Sequence, residues 1–344
     1  MNDLLSVQNL SLSISKNGEK FFPVRDVSFS INPSEIIGII GESASGKTLT
    51  TQTILQLLTP NIALESGRIL FQNDDILQKN ETEMTAIRGK EIAYIPQNPH
   101  SSLNPTQKVG SQITEVLMRH LKISKKESIA QGIQALQKVK IPHPEKCFYL
   151  YPHELSGGMK QRVIIAMAVA LKPKVIIADE PTTALDATLQ NEILYLLKTI
   201  HKEHKIGILF ITHDMAVASH LCDKILVMYA GEIIERGLTK DIINTPKHPY
   251  TKMLLEAVPT LDKDKYHNPL KVTAGTVPQF KQIHTICPFI DRCQKSMLIC
   301  TKQKPLTFNQ KSKVNCWLYD ERNTTNRDQK PKKKLPKKEV ASSR

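Results

Sequence analysis

One stretch decides the fold of this chain: Gly41-Glu42-Ser43-Ala44-Ser45-Gly46-Lys47-Thr48. It has the pattern G-x-x-x-x-G-K-T and follows an apolar run, residues 35–40, which predicts a buried strand. Residues 49–58, which follow it, lack helix breakers and predict a helix. Strand, loop and helix N-terminus together direct backbone N–H groups and the positive helix end at one anion. The chain is therefore predicted to bind a nucleotide.

The residue types of this loop predict individual roles. Lys47 would reach the β- and γ-phosphates, and the Thr48 hydroxyl would ligate Mg²⁺. If residue 44 requires a positive φ, Ala44 strains the loop by about 1 kcal/mol, which we expect to weaken binding at most. The remaining residues predicted to bind the nucleotide at this loop are Gly41, Glu42, Ser43, Ser45, Gly46 and Thr50.

Composition limits the class of protein. The chain has 344 residues, of which 40% are hydrophobic and 23% charged, as in ordinary globular proteins. No apolar stretch reaches membrane-spanning length and the N-terminus does not read as a signal peptide, so we expect a cytosolic chain. The net charge is +14, and residues 330–344 hold six lysines and one arginine against one glutamate. Residues 321–344 are predicted to be a disordered basic tail, to which no function is assigned.

The order of elements predicts a layered α/β fold. Alternating residues at 4–14 and 27–31 predict antiparallel strands joined at the Asn17-Gly18 turn, with further strands at 68–71 and 91–95. Residues 99–171 are helical in pattern, with helices predicted at 109–121 and 126–139. Short apolar strands at 175–178 and 206–211, joined by a helix at 187–203, predict a parallel core. There is no internal repeat.

Acidic and polar residues follow several of these strands. Asp179 and Glu180 end the strand at 175–178, which places Asp179 near Mg²⁺ and Glu180 beside the γ-phosphate, where it can polarise water. Gln97 follows a strand and can reach Mg²⁺ or the water, and His213 can donate to the γ-phosphate. Alone, Gln97 and His213 would each be ordinary structural residues; their order beside the phosphate motifs favours a catalytic role.

The segment Ser156-Gly157-Gly158-Met159 opens a helix about twenty residues before Asp179. Ser156 can cap the helix, and the glycines expose backbone N–H groups to a phosphate. With these motifs, residues 4–250 resemble the nucleotide-binding subunit of an ATP-binding cassette (ABC) transporter. The resemblance implies a P-loop NTPase cassette with a RecA-like parallel core, an antiparallel β subdomain and a helical subdomain at about 99–171.

The same resemblance implies roles for particular residues. Gln97 is the Q-loop and His213 the switch histidine; Phe21, or Phe22, is the aromatic residue that stacks on adenine. Two cassettes would sandwich ATP, so one chain's signature completes its partner's site. The residues of that trans site are Ser156, Gly157, Gly158, Met159, Gln161 and the D-loop residue Asp186.

Two further segments are similar to peptide importers. Residues 98–105 resemble the Q-D-P-x-x-S-L-N-P stretch, and residues 248–255 resemble the C-terminal segment of oligopeptide and dipeptide importer ATPases. This implies a peripheral ATPase at the cytoplasmic face of the cell inner membrane. Its partners would be two transmembrane permeases, an extracytoplasmic binding protein and a second ATP-binding subunit. The Ser-Gly-Gly-Met signature favours a heterodimer, with a homodimer as the alternative.

Four cysteines lie near the C-terminus, in the part predicted as an extension at residues 251–320. Their spacing fits neither zinc ribbons nor common ferredoxins, yet four thiols so close in a cytosolic chain favour a metal over free thiols. The resemblance implies a [4Fe–4S] cluster. The residues concerned are Cys287, Cys293, Cys300 and Cys316.

Alternatives remain at the level of function. The same ATP-driven mechanism could import nickel, glutathione or opines, because other components select the cargo. A soluble cassette ATPase acting on nucleic acid is the other class, but such proteins usually carry two cassettes or long insertions, which this sequence lacks. We therefore expect no specific nucleic-acid partner.

Overall fold

The structure, a computed structural model, describes residues 3–183, 185–258, 275–282 and 286–322. The predicted basic tail from residue 323 onward lies outside them. The strands are β1 (Leu5–Lys16), β2 (Glu19–Ile31), β3 (Ile36–Ile40), β4 (Ile62–Phe71), β5 (Asp74–Asp75), β6 (Ile92–Ile95), β7 (Val175–Asp179), β8 (Gly207–Thr212), β9 (Lys224–Tyr229), β10 (Glu232–Leu238), β11 (Thr307–Asn309) and β12 (Lys313–Asn315). The helices are α1 (Lys47–Ile54), α2 (Glu81–Ile87), α3 (Pro99–Ser102), α4 (Val109–Leu121), α5 (Lys125–Lys138), α6 (Pro144–Phe148), α7 (Gly157–Ala170), α8 (Ala187–His204), α9 (Met215–Leu221), α10 (Thr239–Asn244) and α11 (Pro249–Glu256).

The central sheet has the order β11-β12-β10-β9-β3-β8-β7-β6. Strands β9, β3, β8, β7 and β6 run parallel, as predicted for the core, and β10, β12 and β11 continue the sheet antiparallel. The parallel strands are apolar throughout because both faces are covered. Ile37 and Ile39 of β3 pack toward the second sheet, whereas Ile36 and Ile40 pack toward the helices.

The parallel strands bring four loops to one edge of the sheet. The carboxyl ends of β3, β6, β7 and β8 lie together because these strands are in register as parallel neighbours. The phosphate loop follows β3, Gln97 follows β6, Glu180 follows β7 and His213 follows β8. Residues far apart in sequence therefore meet at this edge.

The second sheet is antiparallel, with the order β2-β1-β4-β5. The turn between β1 and β2 has Asn17 at φ 52° and Gly18 at φ 77°, the two positive values that a type I′ hairpin turn requires. The predicted hairpin is confirmed. Its apolar residues share a buried cluster with one face of the central sheet.

The region between β6 and β7 is helical, as predicted. Helix α4 has the predicted bounds, and α5 begins one residue earlier than predicted because Ser124 and Glu127 form a capping box there. Helix α7 begins after Ser156, whose hydroxyl accepts from the Met159 N–H at 3.3 Å.

Helix α1 is shorter than the predicted 49–58, and it starts two residues earlier. It ends in a Schellman motif, in which the Leu57 N–H donates to the Gln52 carbonyl and the Gln56 N–H to the Thr53 carbonyl. Gln56 takes the left-handed φ of 49° that such an end requires. This position usually holds glycine, so the sequence carried no stop signal here.

The C-terminal segment is joined to the central sheet. Strand β12 pairs with β10, where Glu235 lies opposite Val314. The predicted domain boundary at residue 250 falls within α11. None of the described helices combines the length and the hydropathy that crossing a bilayer would take.

Candidate functional site

A cavity of about 650 Å³ opens beside the phosphate loop, and residues 43–49 form part of its wall. Its volume suits a small-molecule ligand, for which roughly 300–1,000 Å³ is usual. Gly46 is the N-cap of α1 with φ 98°, and a Cβ there would lie 2.4 Å from the Pro23 carbonyl oxygen. Only glycine fits this position. Gly41 and Glu42 precede the part of the loop that lines the cavity.

Ala44 lies in the left-handed region, with φ 64°. An L-residue with a Cβ is disfavoured there by about 1 kcal/mol. Residue 44 therefore has the positive φ at which strain in the phosphate loop was expected.

Lys47 is buried and held by its own loop. Its Nζ donates to the carbonyl oxygens of Gly41 at 2.7 Å and Glu42 at 2.9 Å. Burial lowers the pKa of Lys47, and the nearby charges of Glu180, Asp179 and Glu42 oppose that shift. The ammonium group is thus largely desolvated at the cavity wall, and its longest contact within the loop is the one to Ser45 Oγ at 3.4 Å.

Thr48 and Asp179 lie together behind the loop. The Thr48 Oγ1 donates to Asp179 Oδ1 at 3.3 Å, and the Tyr94 hydroxyl donates to Asp179 Oδ2 at 3.0 Å. Burial raises the pKa of Asp179, while these two hydrogen bonds oppose the shift. Hydroxyl and carboxylate oxygens are the donors that Mg²⁺ prefers.

Glu180 is the centre of a hydrogen-bonded cluster at the cavity. Its Oε2 accepts from Gln97 Nε2 at 2.9 Å and from Thr183 Oγ1 at 2.9 Å, and His213 Nδ1 lies 3.2 Å from the same oxygen. All four residues line the cavity. Glu180 has φ 46°, a strained value for a residue with a side chain. Strain of this kind is concentrated at functional sites.

The rest of the cavity wall is largely aromatic and apolar, with Lys16 and Gln279 as its polar residues. Phe21 and Phe22 from the β1–β2 hairpin line it, and so does Phe280 from the C-terminal segment. The Phe22 N–H donates to the Phe280 carbonyl at 2.9 Å. Thr50 does not line the cavity: it is fully buried, and its hydroxyl donates to the Gly46 carbonyl at 2.9 Å within α1. A direct contact of Thr50 with nucleotide is therefore not supported.

The signature residues do not belong to this cavity. Ser156 is exposed at the start of α7, and neither it nor residues 157–159 line the wall. A Cβ on Gly157 would meet no atom nearer than 4.0 Å, so the surface above it is open. Asp186 caps α8 and accepts from the Leu189 N–H at 2.9 Å. One chain alone therefore does not bring Ser156 and Lys47 to a common ligand.

Gln161 corrects the prediction for the trans site. Its side chain is fully buried, and neither Nε2 nor Oε1 has a hydrogen-bond partner within the described part of the chain. An inward-pointing amide cannot contact a nucleotide held by another chain. In this conformation Gln161 is a residue of the helical core.

The four C-terminal cysteines are neighbours. The Cys287 N–H donates to the Cys300 carbonyl at 3.2 Å. Burial raises the pKa of the Cys287 thiol to about 12, and the other three thiols contribute to the rise. Across the described ranges, however, no group of three or more His, Cys, Asp or Glu is arranged to hold a metal ion. The thiols share a neighbourhood without converging on one point.

The C-terminal segment also touches the phosphate loop. Arg292 donates from Nη1 and Nη2 to the two carboxylate oxygens of Glu42, each at 2.8 Å. The Tyr250 hydroxyl accepts from the Glu42 N–H at 2.9 Å. The rings of Tyr229, Tyr250 and Phe289 pack against one another under this contact. The segment thus braces the loop from outside the cavity.

Sequence reasoning missed several of these residues. Thr183 follows Glu180 by three residues, a spacing that could have indicated its contact in the turn. Tyr94 and Arg292 carried no such signal, because their partners lie 85 and 250 residues away.

Known families and proteins are similar to this chain. The family model described as ABC transporter matches residues 24–183, and the model described as oligopeptide/dipeptide transporter, C-terminal region, matches residues 234–300. The dipeptide transport ATP-binding protein DppD of Bacillus subtilis is 44% identical over 325 residues, which cover 94% of this chain and 96% of DppD. The oligopeptide transport ATP-binding protein OppD of Escherichia coli is 42% identical over 303 residues, 88% of this chain and 89% of OppD.

Two solved structures are similar in fold. The dimeric structure of MJ0796, a bacterial ABC transporter cassette, superposes with a TM-score of 0.62 at 25% identity and covers 68% of this chain and 98% of MJ0796. The structure of cbiO1 from Clostridium perfringens, part of the ABC transporter complex cbiONQ, gives a TM-score of 0.61 at 28% identity, with 71% and 92% covered.

Proposed function

This chain belongs to the ABC transporter family of ATPases, and on that premise we propose that it hydrolyses ATP to energise the import of oligopeptides or dipeptides. The predicted family and fold class are confirmed by the family models and the solved cassettes. The observation that carries the mechanism is the meeting of Lys47 and Glu180 on one cavity wall.

Binding begins with the phosphates. The triphosphate would accept a hydrogen bond from the Lys47 ammonium, whose contact with Ser45 Oγ at 3.4 Å is the easiest to exchange. Backbone N–H groups at the start of α1 and the positive end of that helix favour the same anion. Because Lys47 is already desolvated, its charge acts on the phosphates with little screening.

Mg²⁺ would be held by the Thr48 hydroxyl, with Asp179 beside it. Two oxygen donors from the protein suit this ion, which usually completes its shell with water and substrate phosphates. Bound there, the ion would neutralise charge on the β- and γ-phosphates. Tyr94 holds Asp179 in place through its hydroxyl. Gln97, a predicted further ligand, donates its amide to Glu180 instead, so its carbonyl oxygen is the atom left to face the ion or the water.

Glu180 would act as the general base. It would accept a proton from the water that attacks the γ-phosphate, while Gln97 and Thr183 fix the orientation of its carboxylate. His213 lies on the same carboxylate oxygen and would donate to the γ-phosphate once that group arrives. Three loops thereby hold one carboxylate where water must be activated.

Turnover would require a second cassette. The exposed Ser156 and the open surface over Gly157 present backbone N–H groups at the start of α7, where a phosphate held by another chain can bind. Two chains would then sandwich each ATP, and hydrolysis would release them. A related but different subunit is the proposed partner, with a second copy of this chain as the alternative.

The variant Glu180→Gln tests this mechanism. It should bind ATP as the wild type does, lose turnover by about a hundredfold or more, and accumulate as an ATP-bound dimer. Size-exclusion chromatography with ATP and Mg²⁺ and a phosphate-release assay give the two readouts. The exposed Glu203→Gln is the matched control. Wild-type hydrolysis by Glu180→Gln would refute the role of Glu180.

Coupling to import would run through membrane partners. We propose that the chain sits at the cytoplasmic face of the cell inner membrane, on two permeases served by an extracytoplasmic binding protein. Its relatives are named for dipeptide and oligopeptide transport, which supports peptide as the cargo. The test reconstitutes all subunits in liposomes and measures ATPase stimulation by a binding protein loaded with peptide. Stimulation by nickel, glutathione or an opine but not by peptide would overturn the cargo assignment.

We also propose that Cys287, Cys293, Cys300 and Cys316 hold a [4Fe–4S] cluster. A polynuclear cluster spreads its cysteine ligands over several iron atoms, so neighbouring thiols that do not converge suit it better than a single ion. Anaerobically purified protein should contain iron and sulfide and absorb light at about 400 nm. Cys293→Ser should lose both, whereas Cys147→Ser, in the helical region, should keep them. Colourless, iron-free wild-type protein would refute the cluster.

A further inference from the structure

The C-terminal segment Pro278-Gln279-Phe280 forms part of the nucleotide cavity wall. We propose that these three residues form the base-binding end of the site, and that Gln279 favours adenine over guanine. The proposal rests on ATP binding in this cavity. It gives the C-terminal extension a part in nucleotide recognition within its own chain.

The position of the phosphates decides where the base can lie. Lys47, Glu180, Gln97 and His213 occupy one part of the wall and are joined by hydrogen bonds and charge. The wall also has an aromatic part, Phe21, Phe22 and Phe280, and further polar residues outside the phosphate loop, among them Lys16 and Gln279. Gly46 lies close to the hairpin, because a Cβ there would be 2.4 Å from the Pro23 carbonyl oxygen. A purine is flat and largely apolar on its faces, so it belongs on the aromatic part.

The segment is fixed in place by three contacts. The Phe22 N–H donates to the Phe280 carbonyl at 2.9 Å, which extends the hairpin by one backbone bond. The Arg25 guanidinium lies 4.0 Å from the centre of the Phe280 ring and is itself held by the Ala230 carbonyl at 2.7 Å and by Glu232 at 3.1 Å. Lys281 pairs with Glu19 at 2.5 Å. These contacts hold Phe280 and its chain neighbours in place at the cavity wall.

Gln279 is the polar residue of this segment. Its side chain is exposed, and it lines the cavity together with Phe280, which is largely buried. A carboxamide carries a donor and an acceptor side by side, which match the N7 acceptor and N6 amino donor of adenine. Guanine presents two acceptors at the same edge, so the amide oxygen would face an acceptor. This complementarity predicts a preference for ATP over GTP.

The test measures dissociation constants for ATP, GTP and inorganic triphosphate on the full-length chain. Phe280→Leu should weaken ATP binding about tenfold and leave triphosphate binding unchanged, because stacking on the base is lost while the phosphate loop is intact. Gln279→Ala should lower the ratio of GTP to ATP dissociation constants about fivefold. Gln282→Ala, an exposed glutamine of the same segment outside the cavity wall, should change nothing.

The outcomes separate this proposal from the one on which it rests. Wild-type protein that binds neither ATP nor triphosphate would refute the nucleotide site itself. Tight ATP binding that Phe280→Leu and Gln279→Ala leave unchanged would refute the base-binding wall alone. Loss of triphosphate binding in Phe280→Leu, at an unchanged melting temperature, would also count against it, because the segment would then act on the phosphate loop.

Discussion

Arg292 and Glu42, 250 residues apart, are joined by two parallel hydrogen bonds of 2.8 Å. Arg292 stands next to Cys293 in the extension, and Glu42 is the second residue of the phosphate loop. The guanidinium also lies 5.6 Å from the Tyr229 ring centre. The hydrogen bonds to Glu42 raise the pKa of Arg292, so the guanidinium is charged at any physiological pH. The loop that binds phosphate is thus tied to the cysteine-bearing segment.

A double-mutant cycle on this pair should show strong coupling. Arg292→Ala and Glu42→Ala should each lower the free energy of unfolding by about 1–2 kcal/mol, because each leaves a charged partner without its bidentate contact. The double variant should cost little more than either single one. Urea unfolding gives the energies.

Two controls define the result. Arg292→Lys keeps the charge but loses the paired geometry, so it should fall between wild type and Arg292→Ala. The exposed Lys295→Ala should be neutral. Strictly additive losses in the cycle would show that the two side chains act independently.

Ala44→Gly should remove strain from the phosphate loop. Glycine adopts the positive φ without the cost of about 1 kcal/mol that alanine has there, which stabilises the folded state. Glycine also makes the unfolded chain more flexible, which lowers stability by up to about the same amount. The free energy of unfolding should therefore hardly change. Ala130 lies on the exposed face of α5, where no strain is removed by glycine. Ala130→Gly should therefore lower the free energy of unfolding by about 1 kcal/mol. Equal losses for the two variants in thermal unfolding would mean that Ala44 is unstrained.

His248 should make stability fall with acid. Burial lowers its pKa to about 3, and its Nδ1 accepts from the Tyr250 N–H at 3.1 Å. Between about pH 6.5, the ordinary pKa of histidine, and about pH 3, the unfolded chain binds a proton at His248 that the folded chain does not. The free energy of unfolding therefore drops as pH falls through this range. The slope is at most about 1.4 kcal/mol per pH unit for one proton.

His248→Asn keeps an N-cap acceptor for α11 without titrating in this range. Its unfolding free energy, measured from pH 7 to 4, should therefore fall less steeply than that of wild type. The exposed His204→Asn should follow the wild-type curve. A slope unchanged by His248→Asn would place the acid sensitivity elsewhere.

Gln161→Met should be neutral or stabilising. The buried amide has no partner in the described ranges, and an apolar side chain of similar length removes the cost of burying it. The exposed Gln131→Met serves as the control for the side chain itself. A loss of more than about 1 kcal/mol in urea unfolding would show that the amide is bonded in solution.

Local patterns accounted for most of the fold. The Asn17-Gly18 turn and the bounds of α4 follow from signals a few residues long. The end of α1 did not, because Gln56 adopts a conformation that normally indicates glycine.

The candidate site shows the same division. The phosphate loop, Glu180 and His213 lie directly after strands, so their convergence follows from parallel topology. The contacts of Arg292 and Phe280 depend on how the C-terminal segment returns to the cassette. No periodicity encodes that path, and side chains at such separations meet only through tertiary packing.

The pairing of β12 with β10 has a consequence for solubility. Without it, the seven-residue β10 would leave its backbone N–H and C=O groups available to a strand from another molecule. The added hairpin moves the rim of the sheet to β11, which has three residues, and the opposite rim is the four-residue β6. Rims so short offer little template for intermolecular growth, so this large sheet is protected from aggregation at both margins.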